Sequence, residues 1–329
     1  MRLGTELFLK AKGTMNNKKH TIQGFKASAV AAGLKRDNSL DIALITSETE
    51  ATAAAVFTTN KVKAAPVLLS MENIKNNKIK AVIANSGNAN ACTGLKGMEN
   101  AKSTAETVAL ELGINEDEII VASTGVIGAQ LDMDCIRKSI PGLVKGLSPE
   151  GISDAAEAIR TTDAFPKISR FKGNAWGTQF EILGIAKGAG MIMPNMATML
   201  CFILTDLWIE DRDLHKALSH SVNRTFYRII VDGDTSTNDM VLVMANGMAG
   251  NISLSYELYD EFLKGLKKVM SDLAHMIVED GEGATKVVSI QVKGAVSRKE
   301  AETAARTIAL SSLVKTAFYG QDPNWGRII

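Results

Sequence analysis

The sequence predicts an α/β (α+β) protein built as a layered sandwich, with buried sheets lying between helical layers. Segments with apolar residues at helical spacing alternate with short runs rich in Val, Ile and Ala, the pattern of a sheet covered by helices. The run 199–204 (MLCFIL) is apolar without interruption, which fits a strand covered on both faces. The composition of the 329 residues, 46% hydrophobic and 22% charged, is that of an ordinary globular chain with ample apolar surface for a large core.

In chain order, 30–32 leads into a strand at 41–46, a second strand lies near 54–58, and the β-branched run 79–83 ends at the loop Asn85-Ser86-Gly87-Asn88. Residues 97–112 carry Ala, Leu and Val at helical spacing and stop at Gly113, the residue that closes a helix in the left-handed conformation. A strand at 119–122 runs into Ser123-Thr124-Gly125, a small-residue turn whose backbone N–H groups are free to face a ligand. Helices are predicted at 133–139, 153–160, 211–222 and 256–280, and strands at 176–186 and 198–206 on either side of a glycine-rich connection. No repeat or Pro/Ser-rich linker divides the chain.

Charge and cysteine content narrow the partners. With 37 Lys+Arg against 36 Asp+Glu and a net charge of +1, the chain lacks the basic excess that nucleic acid or an anionic membrane selects, so a small molecule is the expected partner. Cys92, Cys135 and Cys201 are far apart, form no CxxC pair and suit a reducing cytoplasm; Cys201 reads as a small core residue. The opening MRLGTELFLKAKGTMNNKKH has neither a long apolar region nor a small-residue cleavage site, so no signal peptide is expected. The eighteen uncharged residues 188–205 approach membrane-span length, but Gly188, Gly190, Pro194 and Asn195 interrupt them, and they read as a buried turn followed by a core strand. Asp232, Asp234, Asn238 and Asp239 miss the EF-hand pattern and are expected to form a hydrogen-bonded loop; no metal site is expected.

The segment Lys187-Gly188-Ala189-Gly190-Met191-Ile192-Met193-Pro194-Asn195-Met196-Ala197-Thr198 places a threonine at the start of a strand behind a tight connection. Spacing leaves two readings open. Thr198 is either a β-branched strand starter or an N-terminal nucleophile. In the second reading its hydroxyl attacks the Ala197 carbonyl, the ester hydrolyses, and Thr198 gains an α-amine whose ordinary pKa of about 8 suits a general base.

Nine runs resemble, in order, those of the ornithine acetyltransferases, the glutamate N-acetyltransferases of arginine biosynthesis. They are GFKASAVAAGLK (24–35), AAAVFTTNKVKAAPV (53–67), ANSGNANACTG (84–94), VASTGVIG (121–128), EAIRTTDAFPK (157–167), IAKGAGMIMPNMATML (185–200), VDGDTSTND (231–239), EDGEGATK (279–286) and DPNWGRI (322–328). The resemblance implies an N-terminal-nucleophile-like fold and self-cleavage between Ala197 and Thr198, giving an α chain of 1–197 and a β chain of 198–329 that stay together, two of each in a heterotetramer. It implies that Thr198 takes the acetyl group of N-acetylornithine and passes it to glutamate, with acetyl-CoA as a further donor in some members and no bound cofactor. It also implies that Thr124 and Gly125 form the oxyanion hole, and that Thr161, Lys187, Thr198 and Glu282 bind substrate. Two departures stand out: Tyr227 occupies a position where many relatives carry Asn, and the chain is C-terminally short for the family.

Each implied role has a physical rationale. A carbonyl turning tetrahedral concentrates charge on one oxygen, and a strand-end Thr-Gly supplies a hydroxyl and a backbone N–H to meet it. Lys187 borders an uncharged segment, so its ammonium must reach water or find an anion such as a substrate α-carboxylate. Glu282, between two glycines, is suited to an ornithine ammonium. Thr161 and Thr162 are equally placed by spacing as the hydrogen-bonding residue after the 153–160 helix. Two other readings share part of this machinery: an amidohydrolase or aminopeptidase that uses the same threonine with water as acceptor, and a truncated, catalytically silent relative.

Overall fold

The computed structural model describes residues 20–193 and 199–329, together with the backbone of 2–9. Within them an eight-stranded sheet is folded on itself between helical layers. Its strands are β2 (Phe25–Val30), β3 (Ile42–Phe57), β4 (Lys78–Asn85), β5 (Ile119–Ser123), β6 (Lys167–Ala175), β7 (Thr178–Lys187), β8 (Leu200–Thr205) and β9 (Met240–Ala245). The order is β5-β4-β3-β9-β8-β7-β6, with β2 paired to β3. The pairs β4/β5 and β8/β9 are parallel and the others antiparallel. A separate antiparallel pair joins β1 (Arg2–Leu9) to β10 (Lys286–Lys293).

Strand β3 belongs to both halves of the sheet. Its residues 42–47 pair with β2 and its residues 52–57 with β9, and a bulge between Thr46 and Ala51 on the β4 side lets the strand turn from one half to the other. The two strands predicted at 41–46 and 54–58 are therefore one, and the polar Ser47-Glu48-Thr49-Glu50 that seemed to separate them marks the bulge and its exposed tip.

Period-two alternation then sorts the side chains into layers. Val82, Ala84, Ile120 and Ala122 of one half and Leu183, Ile185, Leu200, Phe202, Leu204, Leu242 and Met244 of the other form one core, so the half-sheets pack face to face. Helix α4 (Ile152–Ala158) contributes Ile152, Ala155 and Ala156 to that core. The opposite residues of the first half, Leu44, Ala81, Ile83, Ile119 and Val121, pack under α2 (Gly94–Leu112) and α3 (Met133–Lys145), with α1 (Ala65–Asn73) alongside. Those of the second half, Ile182, Cys201, Ile203, Val241 and Val243, pack under α5 (Asp211–Val222) and α6 (Tyr256–Glu279). The predicted layered sandwich is thus found, with β8 buried along its whole length. Each of its large apolar side chains contributes about 1.5–3 kcal/mol by leaving water.

Helices α7 (Arg298–Leu310) and α8 (Ser312–Gly320) follow β10. Gly113 closes α2 with φ 67° as expected, and Cys201 is buried in the core, where desolvation pushes its thiol far up. Among the described residues no helix is long and apolar enough to cross a membrane.

Candidate active site

The parallel strands β4 and β5 end side by side, and their following loops lock together. Ser123 Oγ donates to Asn85 Oδ1 (2.6 Å), Thr124 N donates to Asn85 O (2.9 Å), and Val126 N donates to Gly87 O (3.2 Å). Thr124 is buried and Gly125 is exposed. The Gly125 N–H has no acceptor among the described residues. Gly125 has φ +131°, and a Cβ there would lie 2.4 Å from the carbonyl carbon of Gly87, so glycine is required by both conformation and space. The predicted turn therefore offers one hydroxyl and one unused backbone donor.

Lys187 ends β7 in the opposite half-sheet and crosses to that turn. Its ammonium, 2% exposed, donates to Thr161 Oγ1 (2.9 Å) and to Thr124 Oγ1 (3.4 Å), and stands 3.9 Å from Asp163 Oδ2. Burial pulls its pKa down, and the Asp163 carboxylate counters part of that effect. Glu282, exposed in the turn after α6, accepts a hydrogen bond from Thr162 Oγ1 (2.5 Å), and its N–H donates to Ala189 O (2.8 Å). Its carboxylate lies against Gly190, where a Cβ would come within 2.6 Å of the Glu282 Cδ.

The two threonines that spacing left equivalent thus divide the work, Thr161 facing the cation and Thr162 the anion. Thr124, Thr161, Lys187 and, through Thr162, Glu282 are assembled from the loop after β5, the α4–β6 connection, the end of β7 and the turn after α6. Ala197 and Thr198 lie outside the described residues, as does Asn195.

The shoulders of segment 194–198 are held by the acidic loop 231–239. Asp232 accepts hydrogen bonds from Met191 N (2.5 Å) and Ile192 N (2.9 Å) before the segment, and Asp239 Oδ1 accepts one from Met199 N (2.9 Å) after it. Asn238 Nδ2 donates to Ala89 O (2.7 Å) and Ser123 O (2.9 Å), tying the same loop to the end of β5 just before the Thr124-Gly125 turn. The expected hydrogen-bonded loop is found, and it holds Met191 and Ile192 on one side of 194–198 and Met199 on the other. Asp239 Oδ2 is buried without a hydrogen-bond partner among the described residues. Burial raises its pKa well above the carboxylate range.

Sequence reasoning missed the charges beneath the site. Lys167 Nζ is fully buried between Asp163 Oδ1 (2.7 Å) and Asp280 Oδ2 (2.7 Å). Burial alone would push the Asp163 carboxyl up, but Lys187, Lys167 and the Gly188 N–H hold it below its ordinary range. The signal was present in EAIRTTDAFPK, where a Lys follows an Asp by four residues, but that spacing usually marks an exposed pair.

The arrangement can bind a molecule carrying an anionic and a cationic end and present a carbonyl to two donors. Comparisons with known proteins place the chain in a family. The ArgJ family profile matches residues 26–329. A relative named "Arginine biosynthesis bifunctional protein ArgJ" from Geobacter sulfurreducens is 53% identical over 309 residues, 93% of this chain and 79% of the relative. One of the same name from Caldanaerobacter subterraneus subsp. tengcongensis is 53% identical over 310 residues, 93% of this chain and 76% of that protein. Among solved structures, the arginine biosynthesis bifunctional protein argJ from Bacillus halodurans matches with TM-score 0.51 and 33% identity, over 61% of this chain and 100% of that one. The chain belongs to the ArgJ family.

Proposed function

We propose that this protein is a glutamate N-acetyltransferase of arginine biosynthesis, which moves the acetyl group of N-acetylornithine to glutamate through an acetyl-threonine at Thr198, with acetyl-CoA as a further donor. The observation that carries the reading is the meeting of Thr161 and Thr124 at the Lys187 ammonium, each within hydrogen-bond reach of it, with the Thr162–Glu282 pair formed from the same α4–β6 connection. N-acetylornithine keeps an α-carboxylate and a side-chain ammonium, and Lys187 and Glu282 match them. The acetyl carbonyl then faces the Thr124 hydroxyl and the Gly125 N–H, two donors aimed at the charge that develops on its oxygen, with one such donor worth about 3–4 kcal/mol.

The nucleophile first has to be freed. Thr198 Oγ adds to the Ala197 carbonyl, the C–N bond breaks as the nitrogen takes up a proton, and water hydrolyses the ester, which leaves an α chain ending at Ala197 and a β chain beginning with Thr198. The new α-amine takes the hydroxyl proton as Thr198 attacks acetylornithine and gives it to the departing ornithine. Glutamate enters the vacated site and removes the acetyl group by the reverse steps. We read the α and β chains as remaining together, two of each, with no bound cofactor, in the cytoplasm.

Purified protein on a denaturing gel is expected to show two fragments, and Thr198→Ala one uncut chain with no transfer. Transfer by Thr198→Ala at the wild-type rate would overturn the nucleophile assignment. Mass spectrometry with N-acetylornithine or acetyl-CoA as sole donor is expected to show acetylglutamate; release of acetate independent of glutamate would assign a hydrolase instead.

A further inference from the structure

Of the residues read as substrate-binding, Thr161, Lys187 and Glu282 sit on three chain segments far apart in sequence, and a buried ion-pair network centred on Lys167 and Asp163 joins all three. Lys167 Nζ, 0% exposed, donates to Asp163 Oδ1 and to Asp280 Oδ2, each at 2.7 Å. Asp163 also accepts from Gly188 N (2.6 Å), next to Lys187, and from Thr161 N (3.1 Å). Asp280 accepts from Ala164 N (2.9 Å) and precedes Glu282 by two residues. The α4–β6 connection is therefore pinned to the end of β7 by Asp163 and to the turn after α6 by the Lys167 cation.

A buried ion pair is a poor way to gain stability alone, because an apolar cluster of similar volume often serves as well. What apolar residues cannot supply is charge at a fixed place. Lys187 is faced by Asp163 from the α4–β6 connection, by Asp239 from the loop before β9, by Glu282 from the turn after α6 and by Lys167 from β6. Among these, Asp163 exerts the largest charge effect on Lys187, second only to burial itself.

We propose that Asp163, Lys167 and Asp280 form a positioning unit that holds the two charged ends of the substrate site in register, and that Asp163 keeps Lys187 cationic for the substrate α-carboxylate. The proposal rests on the reading of Lys187 as the carboxylate binder. Neutralising Asp163 removes the largest of the charges that offset the desolvation of Lys187, so Lys187 loses its proton at lower pH. Removing the Lys167 charge together with that of Asp280 has the opposite sign, because Lys167 itself disfavours a second cation nearby.

The test measures KM for glutamate as a function of pH, per cleaved chain, on enzyme shown to be folded by thermal melting. Asp163→Asn is expected to move the alkaline rise of KM down by about one pH unit, and so to raise KM by about ten-fold at pH values above the wild-type rise, since one unit of pKa is a ten-fold change in the charged fraction above the pKa. kcat is expected to change by less than about three-fold. Asp163→Glu, which keeps the charge, is expected to restore the pH profile. The double variant Lys167→Met/Asp280→Asn is expected to move the alkaline rise to higher pH; it decides the matter if Asp163→Asn does not accumulate as folded protein. Profiles that superimpose on the wild type in the variants that fold would overturn the proposal. Lys187→Met separates this from the underlying reading: if KM for glutamate is unchanged there, the carboxylate role of Lys187 itself fails.

Discussion

Gly125→Ala tests the oxyanion turn with a single methyl group. The added Cβ would lie 2.4 Å from the Gly87 carbonyl carbon, 2.6 Å from Asn88 N and 2.7 Å from Gly87 O, all backbone atoms that cannot rotate away. Carbon atoms rest comfortably at about 3.5 Å, so the turn after β5 and the loop after β4 must separate by about 1 Å. A displacement of that size at a reacting centre lowers rate by about a hundred-fold, which is about 2.7 kcal/mol of transition-state stabilisation. The substitution also forces alanine toward φ +131°, which costs about 1–3 kcal/mol of stability. Gly128→Ala separates the two effects. Gly128 has φ +85°, but nothing lies within 4 Å of its Cβ position, so it carries the strain without the displacement. The assay is kcat/KM for acetyl transfer to glutamate, normalised to the fraction of cleaved chain, alongside Tm for both variants. Gly125→Ala is expected to lose about a hundred-fold in kcat/KM relative to Gly128→Ala at similar Tm. A ratio within three-fold would refute the placement of Gly125 at the reacting carbonyl.

Two further expectations concern stability. Asp239 has a folded-state pKa raised by burial above its unfolded value, so its contribution is present at acid pH and is lost as pH rises through the range above 3.8. Asp239→Asn, which keeps an acceptor for Met199 N, is expected to shrink the fall in Tm between pH 4.5 and pH 7.5; an unchanged fall would show that Asp239 is charged in the folded protein. Gly265→Ala would set a Cβ 2.3 Å from the Phe171 ring and 3.0 Å from Ile182 Cδ1, where α6 lies on β6 and β7. The overpacking, about 1–3 kcal/mol, exceeds the gain in helix propensity of up to about 1 kcal/mol, so calorimetry is expected to show a Tm lower by a few degrees. A Tm equal to or above the wild type would contradict that packing.

The parts of the fold legible in the sequence are those whose signal is local. Helix α5 was found at its full extent because Leu214, Ala217, Leu218 and Val222 mark one face and Asp211 and Asp213 its first turn. Strand β8 was legible because burial on both faces leaves it apolar from Leu200 to Leu204, with Thr205 polar only at its end. Strand β6 was not: KISRFKGNA breaks the alternation at Ser169-Arg170 and at Lys172-Gly173-Asn174, as an edge strand paired on one side only can. At the site, motifs located Thr124, Gly125, Lys187 and Glu282, whereas Lys167, Asp163 and Asp280 read as ordinary charged residues. A buried ion pair is defined by its partner, and Asp280 lies 113 residues from Lys167. Asp239 was read correctly as part of a hydrogen-bonded loop, but its isolation from water depends on packing that no local pattern reveals.

The strand order bears on what a break in the chain would do. Strands β8 and β9 lie between β3 and β7, and β10 pairs with β1. A cut after Ala197 would assign the flanking strands to one product and the enclosed strands to the other, like interlaced fingers of two hands. Neither product could leave without stripping hydrogen bonds from β3 and β7 together and baring two sheet edges. Under the proposed cleavage the two pieces would be halves of a single folding event, with the chain folding before it is cut. Pieces made separately would have to find each other while each displays the apolar strands that the other is meant to cover.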